Sequence, residues 1–353
     1  TWYPIAQSPD PFYYRNKMEF SFGTDRDGDL QLGLHVRERY NRVFDLEACL
    51  LQSEASNQIV DSFRRHAVRL ELPVYDLKSH EGLLRFLVVR DAKGTGQVMV
   101  SLVVAEYPAA SIDSLLEGVF QDVGELITTC VVTRHTGRAQ VAKGEAEFVI
   151  KGEGRIVEIC GGLEFEVSPQ SFFQTNTRAA AGLYDRVVDL LGELHDADVL
   201  DLYAGTGGVS LHLAQAARSV VGIEEVGEAV DDARRNAVRN GIDNCTFLVE
   251  RAESVLGELA SEEGERFDAI VADPPRAGIH KKALAGIVAL GPPVLIYVSC
   301  NAETLADDLF ILTQAGYDVI TAQPVEMFPH TPHCEVLTSL RRTPRWSGNL
   351  AQD

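Results

Sequence analysis

The sequence has little that would tie the chain to a metal, a disulfide framework or a membrane. Its six cysteines are scattered and form no C-x-x-C pair, so neither a zinc or iron–sulfur site nor a set of disulfides is indicated. No stretch approaches the ~18 consecutive apolar residues of a membrane span, and no basic-then-apolar signal segment opens the chain. We therefore predict a cytoplasmic protein with reduced cysteines, no metal and no membrane partner.

Lysine is also scarce. Seven of the 32 basic residues are lysine, and the 52 acidic residues leave a formal net charge of −20. Contacts to nucleic-acid phosphates need Lys and Arg, so this acidity argues against indiscriminate binding of polyanions. A local basic face is still compatible with it. Arg15, Asn16 and Lys17 beside Tyr13 and Tyr14 are a candidate, because cations suit phosphates and aromatic rings suit bases. The alternative is a solvated strand with core aromatic residues.

At 353 residues the chain has the length of two domains, and its pattern changes near Ser168. Residues 1–166 combine short strand patterns with two helical ones, which indicates an α+β domain. Residues 167–345 alternate strands with helices, which predicts an α/β fold with a doubly wound, mostly parallel sheet. Residues 346–353 form a tail. The strands predicted for the second region are 199–203, 220–223, 246–249, 267–272, 294–299, 317–325 and a closing strand at 334–340.

The stretch 295–301 predicts a reactive side chain at the end of a strand. Four apolar or aromatic residues run into Ser299, Cys300 and Asn301, and a helical pattern follows. This order is typical of a buried parallel strand that ends at the carboxyl edge of a sheet, where ligands of open α/β sheets bind. A lone cysteine is more often an inert buried residue. Cys300 is therefore a candidate nucleophile only if other reactive groups accompany it.

A glycine-containing turn follows the first strand of the second region. Gly205 and Gly207 would let a ligand approach the backbone, and the next helix start offers free N–H groups. Asp201 precedes the glycines, and Glu224 ends the next strand, where an acid can hold ribose hydroxyls. Ser210 stands where a G-x-G-x-x-G pattern needs its third glycine, which favours S-adenosylmethionine over a dinucleotide. A tight turn without a ligand is the remaining alternative.

Two further segments place ionisable groups near strand ends. Asp273 precedes two prolines and Arg276; the acid would orient a planar heterocycle and the guanidinium would counter a developing negative charge. An N-capping connection is the alternative there. Glu335 lies among apolar neighbours, where burial would raise its pKa and make it a candidate base, unless it faces water on an edge strand. His330 and His333 lack a third metal ligand at recognisable spacing, so structural roles are favoured.

Five motifs in this order resemble the RNA uracil-5-methyltransferase family, whose members methylate uridines of tRNA or large-subunit rRNA. They are Ser-Phe-Phe-Gln-Thr-Asn (171–176), Asp-Leu-Tyr-Ala-Gly-Thr-Gly (201–207), Asp-Pro-Pro-Arg-Ala-Gly (273–278), Ser-Cys-Asn (299–301) and Phe-Pro-His-Thr-Pro-His-Cys-Glu (328–335). The resemblance runs from Pro9 to about Leu340, since residues 14–17 look like the start of the family's central domain. It implies a class I, Rossmann-like methyltransferase domain after a smaller, RNA-contacting α+β domain.

The resemblance also implies roles for individual residues. Cys300 matches the family's nucleophile and Glu335 its proton acceptor. Many relatives begin with an oligonucleotide-binding barrel and some carry a four-cysteine iron–sulfur cluster; this sequence shows neither. Gly208 falls at a cofactor contact where relatives often carry a side chain. The other positions that match contacts to S-adenosylmethionine are Gln174, Tyr203, Glu224 and Asp273.

The chemistry of uracil agrees with these roles. Uracil C5 is too weak a nucleophile to attack a methyl sulfonium unaided, whereas a thiolate added at C6 makes C5 electron-rich. A base must afterwards remove the C5 proton so that the cysteine can leave. We predict that Cys300 and Glu335 do this on a uridine flipped out of its RNA, in a monomeric enzyme. The competing hypotheses are a non-catalytic RNA-binding or folding factor and a dinucleotide-dependent oxidoreductase.

Overall fold

The computed structural model describes residues 1–192, 194, 196–259 and 267–343, so the predicted tail at 346–353 lies outside the described residues. The chain divides into two compact units. The central unit comprises Phe12–Ile159 and Glu166–Gln170. The other, which we call the sheet unit, comprises Thr1–Pro11, Cys160–Phe165 and the chain from Ser171 onward. Within the described ranges, no helix combines the length and the apolar character that crossing a bilayer requires.

The central unit is built on a seven-stranded sheet in the order β3-β2-β1-β4-β5-β6-β7. Its neighbouring strands are antiparallel except for the parallel pair β5 and β6. A separate two-stranded sheet pairs β8 with β9, of which residues 160 and 163–165 belong to the sheet unit. The bounds are β1 Lys17–Thr24, β2 Leu30–Val36, β3 Arg39–Asp45, α1 Glu54–Arg69, β4 Leu84–Asp91, β5 Val98–Val104, α2 Ala110–Val123, β6 Thr129–Arg134, β7 Ala146–Lys151, β8 Ile156–Cys160 and β9 Leu163–Val167.

Alternation along β1 decides which side of this sheet is the core. Met18, Phe20 and Phe22 point to one side and are buried with the apolar residues of α1 and α2, as the period of two along a strand requires. The sequence predicts paired strands at 83–90 and 97–105, and the antiparallel ladder of β4 and β5 confirms this pairing. The sequence also predicts a strand at 126–133; it begins later, at Thr129, because residues 124–126 form a turn of 3-10 helix.

The sheet unit has a second seven-stranded sheet, in the order β12-β11-β10-β13-β14-β16-β15. The first five strands in that order are parallel to one another, and β16 runs antiparallel between β14 and β15. The elements are α3 Thr177–Leu191, β10 Asp198–Leu202, α4 Gly208–Leu213, β11 Ser219–Glu224, α5 Gly227–Arg239, β12 Cys245–Val249, α6 Ala252–Leu259, β13 Ala269–Ala272, α7 Lys281–Leu290, β14 Val294–Ser299, α8 Ala302–Gln314, β15 Tyr317–Val325 and β16 Glu335–Arg342. The prediction of a doubly wound, mostly parallel sheet is confirmed.

The last strand differs from its prediction in one respect that matters for the site. It was expected to close the sheet, but β16 lies inside the sheet and β15 forms the edge. After β14 the chain first forms β15 at the edge of the sheet, and it then returns to form β16 between β14 and β15. Glu335, the first residue of β16, is consequently buried rather than exposed on an edge.

The strand order brings the carboxyl ends of four parallel strands to one edge of the sheet. β10 pairs with β11 on one side and β13 on the other, which is the topological switch point where open α/β sheets bind ligands. The register aligns Leu202 with Ile223 and Ala272, and Ala272 with Tyr297. The residues that follow these strand ends therefore gather at the same edge.

Candidate active site

Cys300 stands in a turn that its two neighbours hold in place. Ser299 ends β14, and its hydroxyl donates to the Asn301 carbonyl at 2.9 Å and accepts from the Asn301 N–H at 3.1 Å. Asn301 caps α8 by accepting from the Glu303 N–H at 3.1 Å. Its amide also donates to the carbonyl of Arg276 at 3.1 Å. The thiol of Cys300 is thus presented, half-buried, from a turn with a defined backbone.

Glu335 lies opposite Cys300 on the neighbouring strand. The antiparallel register pairs Ser299 with Val336, so Cys300 and Glu335 are the next two residues to face each other. Burial, together with the nearby Asp273 and against the opposing charge of Arg276, raises the pKa of the Glu335 carboxyl to about 8. Its Oε2 atom has no hydrogen-bond partner among the described residues. The structure therefore brings together a thiol and a carboxyl that are 35 positions apart in the sequence.

The electrostatic surroundings of Cys300 come from three charged groups. Burial raises the pKa of its thiol, and the carboxyls of Glu335 and Asp273 raise it further, whereas Arg276 lowers it. The same three side chains act on Glu335, so the four groups form one cluster. Burial alone raises the pKa of Asp273 to about 7. Burial therefore favours the neutral forms of Cys300, Asp273 and Glu335.

A buried carboxylate on α8 holds the loop that carries Asp273 and Arg276. The Oδ2 atom of Asp308 accepts from the Ile279 N–H at 2.9 Å and from the Tyr297 hydroxyl at 2.7 Å. Gly278 has φ +79°, and a side chain there would approach the same carboxylate to 2.8 Å. The strand, the loop after it and the helix are thereby fixed to one another. The sequence pattern did not reveal Asp308, because its spacing from residues 273–278 carries no local signal.

The glycine turn after β10 is organised by Glu224. Its Oε2 accepts from the Gly205 N–H at 3.0 Å and its Oε1 from the Val226 N–H at 2.9 Å. Gly207 has φ +87°, where a side chain would be strained and would contact Phe247 and Ala233. A side chain on Gly205 would meet no atom within 4 Å, so the backbone of this turn borders open space. The backbone of this turn is therefore held in one conformation and is accessible to a ligand.

Ser210 occupies the position where the dinucleotide pattern requires its third glycine. Its hydroxyl donates to the Oδ2 atom of Asp201, and both side chains are buried. Burial raises the pKa of Asp201 to about 7, although the Ser210 hydroxyl opposes that rise. The Oδ1 atom of Asp201 has no partner among the described residues. Asp201 is thus a buried polar group beneath the turn, and one of its carboxyl oxygens has no hydrogen-bond partner among the described residues.

Tyr203 is placed differently from the other predicted cofactor residues. Its backbone has φ +65°, a conformation that non-glycine residues seldom adopt. Burial raises the pKa of its phenol to about 12, and the backbone of His280 at the start of α7 opposes the rise. The ring packs at the border of the apolar core.

The motif at 171–176 has one exposed and one buried aromatic ring. Phe172 is 67% exposed, whereas Phe173 is buried. The Thr206 hydroxyl of the glycine turn donates to the Phe172 carbonyl at 3.2 Å, which joins this motif to the turn. Gln174, the predicted cofactor residue here, is half-buried. Asn176 caps α3 by accepting from the Ala179 N–H at 3.1 Å.

Tyr184 is a residue near this site that sequence reasoning missed. A side chain on Gly208 would come within 2.8 Å of the Tyr184 hydroxyl, so the glycine leaves room for the phenol. The Tyr184 ring lies 4.9 Å from that of His212, and His212 in turn stacks on Phe165. The charges of Asp201, Asp273 and Glu335 add to burial in raising its pKa. No local sequence signal distinguishes Tyr184 from an ordinary core tyrosine.

The family model for tRNA (Uracil-5-)-methyltransferases matches residues 157–343, which is more than half of the chain. The chain belongs to this family. The match confirms the resemblance that the five motifs predicted, and it speaks against the dinucleotide-dependent oxidoreductase that the glycine turn alone would have allowed. Among the described residues, no three His, Cys, Asp or Glu side chains are grouped so that they could hold a metal ion.

Individual relatives of this methyltransferase agree with that assignment. An uncharacterized RNA methyltransferase of Chlorobaculum tepidum is 38% identical, with 96% of this chain and 73% of the relative covered. One from Clostridium tetani is 36% identical, with 96% and 74% covered. The tRNA (uracil-54, C5)-methyltransferase of Pyrococcus abyssi, solved with S-adenosyl-L-homocysteine, matches with a TM-score of 0.78 at 27% identity, covering 96% of this chain and 78% of that one.

Proposed function

We propose that this protein transfers a methyl group from S-adenosylmethionine to C5 of a uridine in RNA, through a covalent bond between Cys300 and C6. The observation that carries the proposal is the pairing of β14 with β16, in which the register places Cys300 opposite Glu335. Family membership supports the same reaction. In this proposal the central unit contacts the RNA and the sheet unit carries the catalytic residues. The protein acts as a monomer.

The residues present fit S-adenosylmethionine. Asp201 offers a buried oxygen without a partner, the turn at Gly205 borders open space, and Glu224 ends β11 with a carboxylate suited to ribose hydroxyls. When bound, this cofactor supplies an electrophilic methyl group. We propose that the residues that hold it are Gln174, Tyr203, Gly205, Gly208, Glu224 and Asp273.

Covalent catalysis would begin at Cys300. The reactive form of this residue is the thiolate, which the positive charge of Arg276 favours by lowering the thiol pKa. The thiolate then forms a bond to uracil C6, and the electrons of the C5–C6 double bond move toward C5 and O4. Arg276, exposed beside Asp273, is suited to stabilise the negative charge on O4.

Glu335 would complete the reaction. Its carboxylate accepts the proton from the methylated C5, the electrons of that C–H bond re-form the C5–C6 double bond, and the bond between C6 and the Cys300 sulfur breaks. The thiolate is regenerated and Glu335 is left protonated. Burial suits Glu335 to this task, because a carboxyl with a pKa of about 8 is a stronger base than an exposed one.

Direct analysis of nucleosides tests this function. Purified protein, S-adenosylmethionine and unmodified transcripts of tRNA and 23S rRNA should yield 5-methyluridine, detected by mass spectrometry after digestion. A deuterium label at C5 of uridine should be lost from the product, because the C5 proton leaves. Methylation of another atom, or of no RNA, would contradict the proposal and favour a non-catalytic RNA-binding or folding factor.

The half-buried position of Cys300 also implies that the target uridine leaves its stack. A base that remains stacked in folded RNA cannot bring C6 to a thiol at the edge of the sheet. The exposed ring of Phe172, joined to the glycine turn through Thr206, is suited to stack on an unpaired base. We expect a fluorescent base analogue at the target position to brighten when the complex forms. Unchanged fluorescence in a complex of proven stoichiometry would argue against flipping.

A further inference from the structure

Tyr184 is a buried tyrosine whose hydroxyl forms no hydrogen bond with any of the described residues. It lies on α3, and 5% of the residue is exposed. The hydroxyl of a buried tyrosine usually has a hydrogen-bond partner, because an unsatisfied polar group that is withheld from water costs free energy. The Tyr184 hydroxyl is therefore a group that a bound molecule could satisfy.

The ring of Tyr184 is held by contacts to α4. Its centre lies 4.9 Å from that of the His212 ring, at an interplanar angle of 48°. The His212 ring stacks on Phe165, and its Nδ1 atom lies 2.7 Å from the Gly208 carbonyl. A carbonyl oxygen can only accept, so Nδ1 is the donor in this bond. The position of the phenol is thus tied to the helix that begins at Gly208.

The Tyr184 hydroxyl occupies the space that a side chain at residue 208 would need. A Cβ atom on Gly208 would lie 2.8 Å from the hydroxyl oxygen and 3.2 Å from the ring carbon that bears it, so the two groups exclude each other. Gly208 is the first residue of α4, and it follows the glycine turn whose backbone borders open space at Gly205. The hydroxyl is therefore presented beside the turn that a ligand can approach.

The electrostatic surroundings keep this hydroxyl protonated. Burial raises the pKa of Tyr184 well above its ordinary value, and the further causes of the rise are the charges of Cys160, Asp273, Asp201 and Glu335. A neutral phenol can donate a hydrogen bond and is unsuited to act as a base. Tyr184 is consequently a donor among carboxyl groups, close to the strand ends that carry the candidate site.

We propose that the Tyr184 hydroxyl donates a hydrogen bond to S-adenosylmethionine and thereby positions it at the glycine turn. The proposal rests on the proposed function and adds a cofactor contact that comes from α3 rather than from a strand end. The cofactor offers carboxylate oxygens, ribose oxygens and adenine nitrogens as acceptors, and all of them lie outside the reacting methyl group. The hydrogen bond is therefore made equally before and during methyl transfer, so its loss should affect binding rather than the chemical step.

Tyr184→Phe tests the proposal, because it removes the hydroxyl and keeps the ring. Binding of S-adenosylhomocysteine, measured by isothermal titration calorimetry, should weaken about threefold to tenfold, as expected for the loss of one hydrogen bond. The KM for S-adenosylmethionine should rise by a similar factor, while kcat stays nearly unchanged. The melting temperature without ligand should stay within about 1 °C of wild type or rise, because no hydrogen bond within the protein is lost.

Tyr317→Phe is the matched control. Tyr317 is also a buried tyrosine of the sheet unit, but its hydroxyl donates to the Pro292 carbonyl at 3.0 Å. It pairs with Arg342 at the start of β15, at the end of the strands that is remote from Cys300. This variant should lower the melting temperature by about 2 °C or more, and it should leave the Kd for S-adenosylhomocysteine unchanged.

Gly208→Ala addresses the same hydroxyl from α4. Alanine favours the helix, but its methyl group would come within 2.8 Å of the Tyr184 hydroxyl and would displace it. The substitution should therefore weaken binding of S-adenosylhomocysteine in the wild-type background and have a smaller effect in Tyr184→Phe, which has no hydroxyl to displace. Such non-additivity indicates a shared contact. Losses that simply add in the double variant would contradict the proposal.

The outcomes separate this inference from the proposed function. If Tyr184→Phe binds S-adenosylhomocysteine as tightly as wild type, the hydroxyl does not contact the cofactor and the inference fails, even if the protein forms 5-methyluridine. If Tyr184→Phe lowers the melting temperature as much as Tyr317→Phe does, the hydroxyl has a structural role and the inference fails as well. If the wild-type protein binds no S-adenosylhomocysteine, the proposed function itself is wrong.

Discussion

Cys300→Ala is expected to reduce 5-methyluridine formation by at least about 10⁴-fold, which in practice means to background. Without the thiolate no bond forms at C6, and C5 keeps the low nucleophilicity of an ordinary uracil carbon. The variant should still fold, because Cys300 is half-buried in a turn whose hydrogen bonds come from Ser299 and Asn301. Binding of S-adenosylhomocysteine and of RNA should be near wild type. The measurement is single-turnover methyl transfer from labelled S-adenosylmethionine.

Cys334 provides the matched control for this experiment. Cys334 is also half-buried and directly precedes Glu335 in the sequence. Its thiol, however, donates to the carbonyls of Val325 and Glu335. Cys334→Ala should therefore retain turnover within a few-fold of wild type. Methylation by Cys300→Ala at the wild-type rate would eliminate the covalent mechanism. Equal losses in both variants would indicate a structural effect of thiol removal rather than the loss of a nucleophile.

The sequence predicts the elements that bury a continuous apolar face. The sequence predicts a helix at 177–191 and strands at 294–299 and 317–325, and these agree with α3, β14 and β15 at both ends. Within the central sheet, the two strands that the sequence does not predict, β3 and β7, are its two edges. Residues along β7 are half-buried or exposed on both faces, so the alternation that identifies a strand is weak there. Edge strands are protected from further pairing by such polar composition.

The residues of the candidate site also divide into those that the sequence predicts and those that it does not. Residues at strand ends, such as Asp273 and Cys300, could be predicted because a buried run followed by polar residues marks the edge of the sheet. Asp308 and Tyr184 could not, since they reach the site from helices and their spacing to it depends on tertiary packing. The position of Glu335 also depended on topology: the sequence left water exposure open, and insertion of β16 between β14 and β15 settled its burial.

Glu335→Gln is expected to convert the enzyme into one that traps its substrate. The amide keeps nearly the shape of the carboxyl group but cannot accept a proton from C5. The thiolate of Cys300 can still add to C6, whereas elimination has no base. Turnover should fall by roughly 10²–10⁴-fold, and a protein–RNA adduct should accumulate, visible by denaturing electrophoresis and intact-mass analysis. The adduct should carry the transferred methyl group and should be absent from a Cys300→Ala, Glu335→Gln double variant.

A nearby carboxylate provides the control for this variant. Glu326 directly follows the neighbouring strand β15, and its carboxylate accepts a hydrogen bond from the Ser8 N–H at 3.2 Å. Glu326→Gln should form no adduct and should turn over normally. If Glu335→Gln behaves like Glu326→Gln, Glu335 is not the proton acceptor.

The pH dependence of turnover is an independent test of the role of Glu335 as the base. The reactive form of Glu335 is the carboxylate, and burial beside Asp273 raises the pKa of this carboxyl to about 8. Protonation therefore removes the base below that pH, and turnover of the wild-type protein should rise as pH increases toward about 8. Deprotonation of Cys300, whose pKa is also raised, acts in the same direction on the addition step. In Glu335→Gln, adduct formation should retain the dependence that Cys300 imposes but lose the contribution of the carboxyl. An identical pH profile for wild-type turnover and adduct formation in the variant would assign the titration to the thiol alone.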